Sequence, residues 1–353
     1  MVMMIDLLKN LISIDSSTKN GANEAVDFCE KWLLERNLLV KKLTNNGYNM
    51  LVCEIGSGEQ TIVYNGHVDV VSGKADLFRP KEKGGRLYGR GAADMKAGVA
   101  AMMVAMAELQ NRDLKTKVQL QIVSDEEIGG FNCAGYLTAQ GYLGDFVICA
   151  EPTQLGIGLQ AKGIMHVDIE IQGKSAHGSR PWEGVNAIEK AYQTHEKILK
   201  LPFVGESSEL YPSPSINLAM IKGGDAYNKV PEKCILAYDI RFLPTQTKEE
   251  IRKQIEKTTD GIVTAGMSGE PVRTEPNDRF ITALVPVIEK ITTKKAAIFG
   301  QHGSADTRFF SAYGIPAIEF GPSGANWHGD EEYVVIESIH QYRQMLVDYA
   351  LSF

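Results

Sequence analysis

Long apolar stretches are missing from this chain of 353 residues. The longest unbroken one is 99–107, where a bilayer crossing needs roughly 20 residues, so no membrane partner is expected. A basic excess is missing too. With 37 Lys and Arg against 44 Asp and Glu the net charge is −7. That leaves no electrostatic footprint for nucleic acid, and an anionic ligand must be met by a local cluster of Arg or Lys. Cysteine is sparse: five residues, odd in number, scattered and without a Cys-x-x-Cys pair. Reduced core thiols in a cytoplasmic protein are the expectation. The N-terminus reaches Asp6 with no basic segment or cleavage site and does not read as a signal peptide. Disorder is disfavoured, and repeats and low-complexity tracts are absent.

What remains is 44% hydrophobic and 23% charged, enough for the cores of two domains of unequal size. Apolar spacing predicts helices over 4–14 and 22–39. Strands are predicted over 50–55, 61–64, 117–123 and 146–149. The segment 97–110 is helical in pattern but apolar nearly all round, as suits a helix under a sheet. Alternating strands and helices predict an α/β fold: a three-layer domain with a central mixed sheet. Near Gly163 the pattern changes. His166, Asp168 and Glu170 alternate with Met165, Val167, Ile169 and Ile171, which predicts a strand with one wet face. A helix (185–201), two strands (215–222, 233–242) and a helix (248–258) follow. That order predicts an inserted ferredoxin-like α+β domain at 163–270. The main domain is then 1–162 with 271–353.

Carboxylates and histidines gather where predicted strands end. His67 and Asp69 are two apart, so an extended backbone points both to one side; one can bind a metal while the other orients it or its water. Asp94 follows a glycine-rich loop and enters the buried helix, where the dipole favours a carboxylate. That loop lacks the third glycine and the register of a dinucleotide site. Asp125, Glu126 and Glu127 follow the strand over 117–123, at the sheet edge where α/β folds hold ligands. Two adjacent glutamates can divide the roles of metal ligand and general base. Glu151 directly follows another buried strand, and His328 lies in a loop near the C-terminus. Singly these are weak signals. Together His67, Asp94, Glu127, Glu151 and His328, with Asp69 and Glu126 beside them, fit a pair of borderline divalent metals such as zinc. Two ions roughly 4 Å apart can polarise a carbonyl and lower the pKa of a bridging water.

The order of motifs resembles the dinuclear zinc amidohydrolases, the family of succinyl-diaminopimelate desuccinylase, acetylornithine deacetylase, aminoacylase, glutamate carboxypeptidase and several di- and tripeptidases. It is carried by Gly-His67-Val-Asp69-Val-Val, Gly-Arg-Gly-Ala-Ala-Asp94-Met-Lys-Ala-Gly, Asp-Glu126-Glu127-Ile-Gly-Gly, Glu151-Pro-Thr, Gly-Lys-Ser-Ala-His177-Gly-Ser-Arg-Pro, Asn228-Lys-Val-Pro and Asp-Ile-Arg241. These motifs run over essentially the whole chain. The resemblance implies that His67, Asp94 and Glu151 hold one metal, and Glu127, Asp94 and His328 the other. Zinc is the expected metal, with cobalt or manganese as alternatives. Asp69 would orient His67, and Glu126 would take the proton from the bridging water and later give it to the leaving amine. The inserted domain would act as lid and carry a homodimer contact, with His177 reaching the partner's site to stabilise the oxyanion. The Asp94–Met95 bond is expected to be cis.

Arg241 and Arg308 look like the family's carboxylate binders, with Asn228 and Ser304 nearby. Desuccinylases commonly carry Arg-Arg-Gly before the lid strand, whereas this chain has Ala161-Lys162-Gly163. The departure favours acetyl or dipeptide substrates at the expense of succinyl ones. The expected activity is hydrolysis of an N-acyl amino acid amide. N-succinyl-diaminopimelate ranks first, N-acetylornithine second and dipeptides third. A non-catalytic binding relative would have lost ligands or the base, and all five ligands and Glu126 are present.

Overall fold

The structure, a computed structural model, describes residues 2–303 and 305–353. Two compact units emerge. One comprises the chain up to Leu159, Arg273–Phe299 and Ala305–Phe353; the other comprises Gln160–Val272 with the short segment that starts at Gly300.

The first unit opens with helices α1 (Val2–Ser13) and α2 (Lys19–Leu34), then strands β1 (Val40–Asn45), β2 (Tyr48–Ile55) and β3 (Thr61–His67). A hairpin of β4 (Lys81–Lys83) and β5 (Arg86–Tyr88) leads into α3 (Lys96–Leu109). There follow β6 (Lys117–Val123), α4 (Ala134–Ala139), β7 (Phe146–Cys149) and β8 (Ile157–Ala161). The second unit holds β9 (Gly163–Gln172), α5 (Ala187–Ile198), β10 (Ser215–Gly223), β11 (Lys233–Phe242), α6 (Lys248–Thr258) and β12 (Ile262–Gly269). The chain resumes with β13 (Val272–Arg273), α7 (Arg279–Thr292), β14 (Ile298–Gln301), α8 (Thr307–Ser311) and β15 (Ala317–Glu319). It ends with β16 (Gly324–Ala325), β17 (Tyr333–Val335) and α9 (Ile336–Ala350).

The main sheet runs in the order β1-β2-β6-β3-β7-β15-β8-β13. Strand β3 is parallel to both β6 and β7, and β15 is parallel to β7, whereas β2 meets β6 antiparallel. The sheet is therefore mixed. Successive residues of a strand point to opposite faces, and β3 shows what each face meets. The Tyr64 hydroxyl donates to the Leu346 carbonyl in α9 at 2.7 Å. Its neighbour Val63 packs in a cluster with Phe310 of α8. Helices thus cover both faces, which makes three layers. Helix α3 is buried on nearly every side, and a Cβ at Gly98 would stand 2.4 Å from the Ala150 Cβ. Only glycine lets α3 approach that strand end.

Strands β3, β6 and β7 end at the same edge, with His67 opposite Val123 and Asn65 opposite Cys149. Carboxyl ends of parallel strands are where α/β sheets collect ligands. A second small sheet, β16-β17-β5-β4, sets Tyr333 against Tyr88.

In the second unit the sheet order is β10-β11-β9-β12, with β11 antiparallel to β10 and β9, and β12 antiparallel to β9. Two helices lie between its strands in the chain, the β-α-β-β-α-β order of a ferredoxin-like unit. Met165, Val167, Ile169 and Ile171 form its core with Ala187, Ala191, Ile251 and Ile255. The alternating reading of this strand describes its two faces correctly. The last strand, β12, was not foreseen, because Ile-Val-Thr-Ala-Gly-Met-Ser-Gly is glycine-rich and mostly exposed along a sheet edge. The five cysteines are free and buried. Among the described residues no helix is long and apolar enough to cross a membrane.

Candidate metal centre

His67 ends β3 and is 1% exposed. Its Nδ1 lies 3.0 Å from the Asp69 carbonyl oxygen and 3.5 Å from Asp69 Oδ1. A carbonyl can only accept, so Nδ1 carries the proton and Nε2 turns its lone pair the other way. There it faces Asp94 Oδ1 at 3.3 Å and Glu151 Oε1 at 3.8 Å. Nε2 is buried and has no hydrogen-bond partner among the described residues. A lone pair aimed at carboxylate oxygens is repulsive unless a cation stands between them. The Asp69 carboxylate does a second job, accepting from the Glu127 backbone N–H at 3.0 Å. It thereby ties the end of β3 to the turn after β6.

Asp94 Oδ2 lies 3.2 Å from His328 Nε2, which also stands 3.3 Å from Glu127 Oε1. Two ligand groups result, His67–Asp94–Glu151 and Asp94–Glu127–His328, each with its donor atoms within 4.8 Å of one another. Asp94 belongs to both. The donor set, imidazole nitrogen and carboxylate oxygen, suits a borderline divalent metal. Its electrostatics ask for positive charge. Burial and the neighbouring Asp94 push Glu151 well above the usual carboxylate range. Burial followed by carboxylates including Asp306 and Asp69 pushes Glu126 up to about 8. Hydrogen bonding to Asp94 draws His328 up to about 9. Burial opposes ionisation of Asp94, yet hydrogen bonding to His328 holds it below its ordinary value. The residues present fit a pair of cations.

Local backbone explains why the side chains converge. The Asp94–Met95 peptide is cis. Gly129 has φ +111° and its N–H donates to the Glu126 carbonyl at 2.7 Å, closing the turn that carries both glutamates. His328 sits at φ +65°, a region non-glycine residues seldom adopt and one associated with functional sites.

The other foreseen residues lie elsewhere. Arg308, in the same unit, donates from Nη2 to the Gly129 carbonyl at 2.6 Å and so steadies the Glu126–Glu127 turn. In the second unit His177 and Asn228 are neighbours: Gly178 N donates to Asn228 O at 2.7 Å, and His177 bridges to Lys229. His177 Nδ1 stands 2.8 Å from Ser179 Oγ. Arg241 forms a two-pronged pair with Asp239 at 2.8 and 3.2 Å. Ser304 lies outside the described residues. Sequence reading named Asp125 without a role. Its two oxygens accept from Asn132 N and Cys133 N at 2.7 and 3.1 Å, which anchors the far side of the glutamate turn. It also missed Glu332, buried in the acidic run after His328.

A three-layer α/β unit with two carboxylate–imidazole groups sharing one aspartate describes a metal-dependent hydrolase centre. The sequence profile of peptidase family M20/M25/M40 matches residues 63–352. The chain belongs to that family of metallopeptidases and amidohydrolases, which hydrolyse amide bonds. Among its relatives is a succinyl-diaminopimelate desuccinylase of a Nitratiruptor species, 28% identical over 99% of this chain and 100% of that protein. An acetylornithine deacetylase of Buchnera aphidicola subsp. Schizaphis graminum is 28% identical over 73% of this chain and 72% of its own. In fold, the chain is similar to the aminopeptidase PepT from Bacillus cereus ATCC 10987, with a TM-score of 0.84 at 21% identity over 99% of this chain and 97% of that one.

Proposed function

We propose that this protein hydrolyses the amide of an N-acyl amino acid, with N-succinyl-diaminopimelate as substrate. The observation that carries the reaction class is the pair of ligand groups sharing Asp94, with Glu126 on the same turn as Glu127. His67, Asp94 and Glu151 would hold one divalent cation, and Asp94, Glu127 and His328 the other; zinc suits this donor set best. Such cations, when bound, polarise the scissile carbonyl and make the attacking water acidic. Glu126 takes a proton from that water and delivers it to the leaving amine. It lies outside both ligand groups and beside the ligand Glu127, so its carboxylate is not taken up by a cation and can serve both steps. Asp69 fixes the His67 ring and, through Glu127 N, the turn bearing the base.

The succinyl reading is supported by the desuccinylase relative matched along both full lengths. A second reading, N-acetylornithine, is favoured by Ala161-Lys162-Gly163 in place of a double arginine and by the deacetylase relative. Arg241, Arg308, Asn228 and Ser304 are proposed to meet the substrate carboxylates. Residues 163–270 are proposed as a lid through which two copies pair, His177 serving the partner's oxyanion. A cytoplasmic setting goes with this reading.

The test is amine release from N-succinyl-diaminopimelate, N-acetylornithine and a dipeptide panel by protein stripped of metal and reloaded with zinc. Preference for the succinyl compound is expected. Preference for N-acetylornithine would leave the chemistry intact and change the substrate, and no release from any of them would overturn the activity.

A further inference from the structure

Beside the two ligand groups lies a buried ion pair that neither group uses. Arg90 Nη1 and Glu332 Oε2 are 2.8 Å apart, with side chains 3% and 1% exposed. Burying such a pair is costly unless its remaining donors and lone pairs are satisfied. Here the backbone satisfies them, except for Arg90 Nε, which is buried without a hydrogen-bond partner among the described residues. Glu332 Oε2 also accepts from Gly91 N at 3.0 Å, and Oε1 accepts from Ala93 N and Asp94 N at 2.9 and 3.1 Å. The guanidinium reaches the other way. Nη1 donates to the Gly329 carbonyl and Nη2 to the His328 carbonyl, both at 3.2 Å. One end of the pair therefore grips the loop that ends in Asp94, and the other grips the turn that presents His328. The β5–β17 pairing and a bond from Gly89 N to Glu332 O at 3.1 Å hold the two segments in register.

The two ligand groups differ in how much they need this grip. His67 and Glu151 ride on the ends of β3 and β7, adjacent parallel strands whose register already fixes them. His328 has no such support: it sits in a loop, at positive φ, with its side chain 50% exposed. We propose that the Arg90–Glu332 pair is a positioning device that aligns His328 with Asp94, so that the Asp94–Glu127–His328 cation depends on Arg90 and the His67–Asp94–Glu151 cation does not. The inference rests on the metal-centre reading above. Neither residue touches a cation or substrate; both act through the backbone of residues that do.

Arg90→Lys tests this with the buried charge still neutralised, because lysine opposes Glu332 but lacks the fork that reaches two carbonyls at once. Metal-free wild-type and variant protein are titrated with Co2+, read by calorimetry and by visible absorption. The equivalent belonging to His328 is identified by its loss in His328→Ala. In Arg90→Lys that equivalent should weaken about 10- to 100-fold, the usual effect of removing an outer partner, while the other stays within about threefold. Glu332→Gln turns an amide NH2 toward N–H donors, one of them Asp94 N, and should weaken both. Both equivalents binding Arg90→Lys with wild-type affinity, or both weakening alike, would overturn the inference and leave the metal centre standing. Wild-type protein that takes up no Co2+ would overturn both. Hydrogen exchange on the unmodified, metal-free protein supplies a check independent of any variant's folding. The Gly91, Ala93 and Asp94 amides should be protected, and free exchange there would refute the grip.

Discussion

At the residue scale, the proposed mechanism gives two adjacent glutamates different work, and their surroundings differ. Glu127 shares its seat with His328 and Asp94, while Glu126 belongs to neither ligand group and is raised by burial. Glu126→Gln should therefore lower kcat by about 10²- to 10⁴-fold, the range of a general acid–base group, while metal analysis still finds two equivalents. Near-normal turnover would remove Glu126 from the mechanism. Glu151→Ala should do the opposite, lowering stoichiometry from two metals toward one, and two tightly held ions in that variant would contradict the ligand assignment. The residues that meet at the centre, apart from the loop residue His328, were legible in sequence because each follows a buried strand or opens a buried helix. Glu332 and Asp125 were not. Their partners are backbone amides of other loops, and no spacing in the chain announces such partners.

At the element scale, helix α3 begins with Lys96, whose ammonium is fully buried and donates to the Leu11 and Ile14 carbonyls at 2.9 and 3.1 Å. It closes the end of α1. Burial lowers the Lys96 pKa from 10.5 to about 7, against the pull of Glu332 and other anions. Above that value the folded protein carries a neutral amine, which still has two N–H donors for the two carbonyls, while the unfolded chain stays protonated up to its ordinary pKa. The unfolded state then binds more protons, so this residue makes stability rise with pH between about 7 and 10. Urea unfolding of metal-free wild-type and Lys96→Met protein across that range checks it. The difference between the two curves should grow with pH, and a constant difference would refute the shift. Elements with strong periodicity, such as the buried strands and α3, were readable from the chain. The helix over 22–39 was read too long at its end: α2 stops at Leu34, and Asn37 at φ +59° turns the chain away. The edge strand β12 and the short β4–β5 hairpin bury too little to leave a pattern.

At the scale of the whole molecule, the proposal that His177 serves a neighbouring copy makes an assembly-level prediction. Mixing inactive His177→Ala subunits with inactive Glu126→Gln subunits should restore part of the activity, since one site in each heterodimer then has both groups intact. Activity measured on heterodimers verified by mass is the readout, and none recovered would confine His177 to its own subunit. The distribution of cysteines bears on the molecule as a whole in another way. All five thiols are buried, and burial above all lifts Cys29 and Cys53 to about 12, so the native protein should be nearly silent to a thiol reagent. Cys29, Cys53, Cys133 and Cys149 fall in the first unit and Cys234 in the second. Each labelled thiol is therefore a time-stamped record of which unit has opened. A mass increment of one label ahead of four would mean that the ferredoxin-like unit melts on its own, and five appearing together would mean that the two units share a single clock.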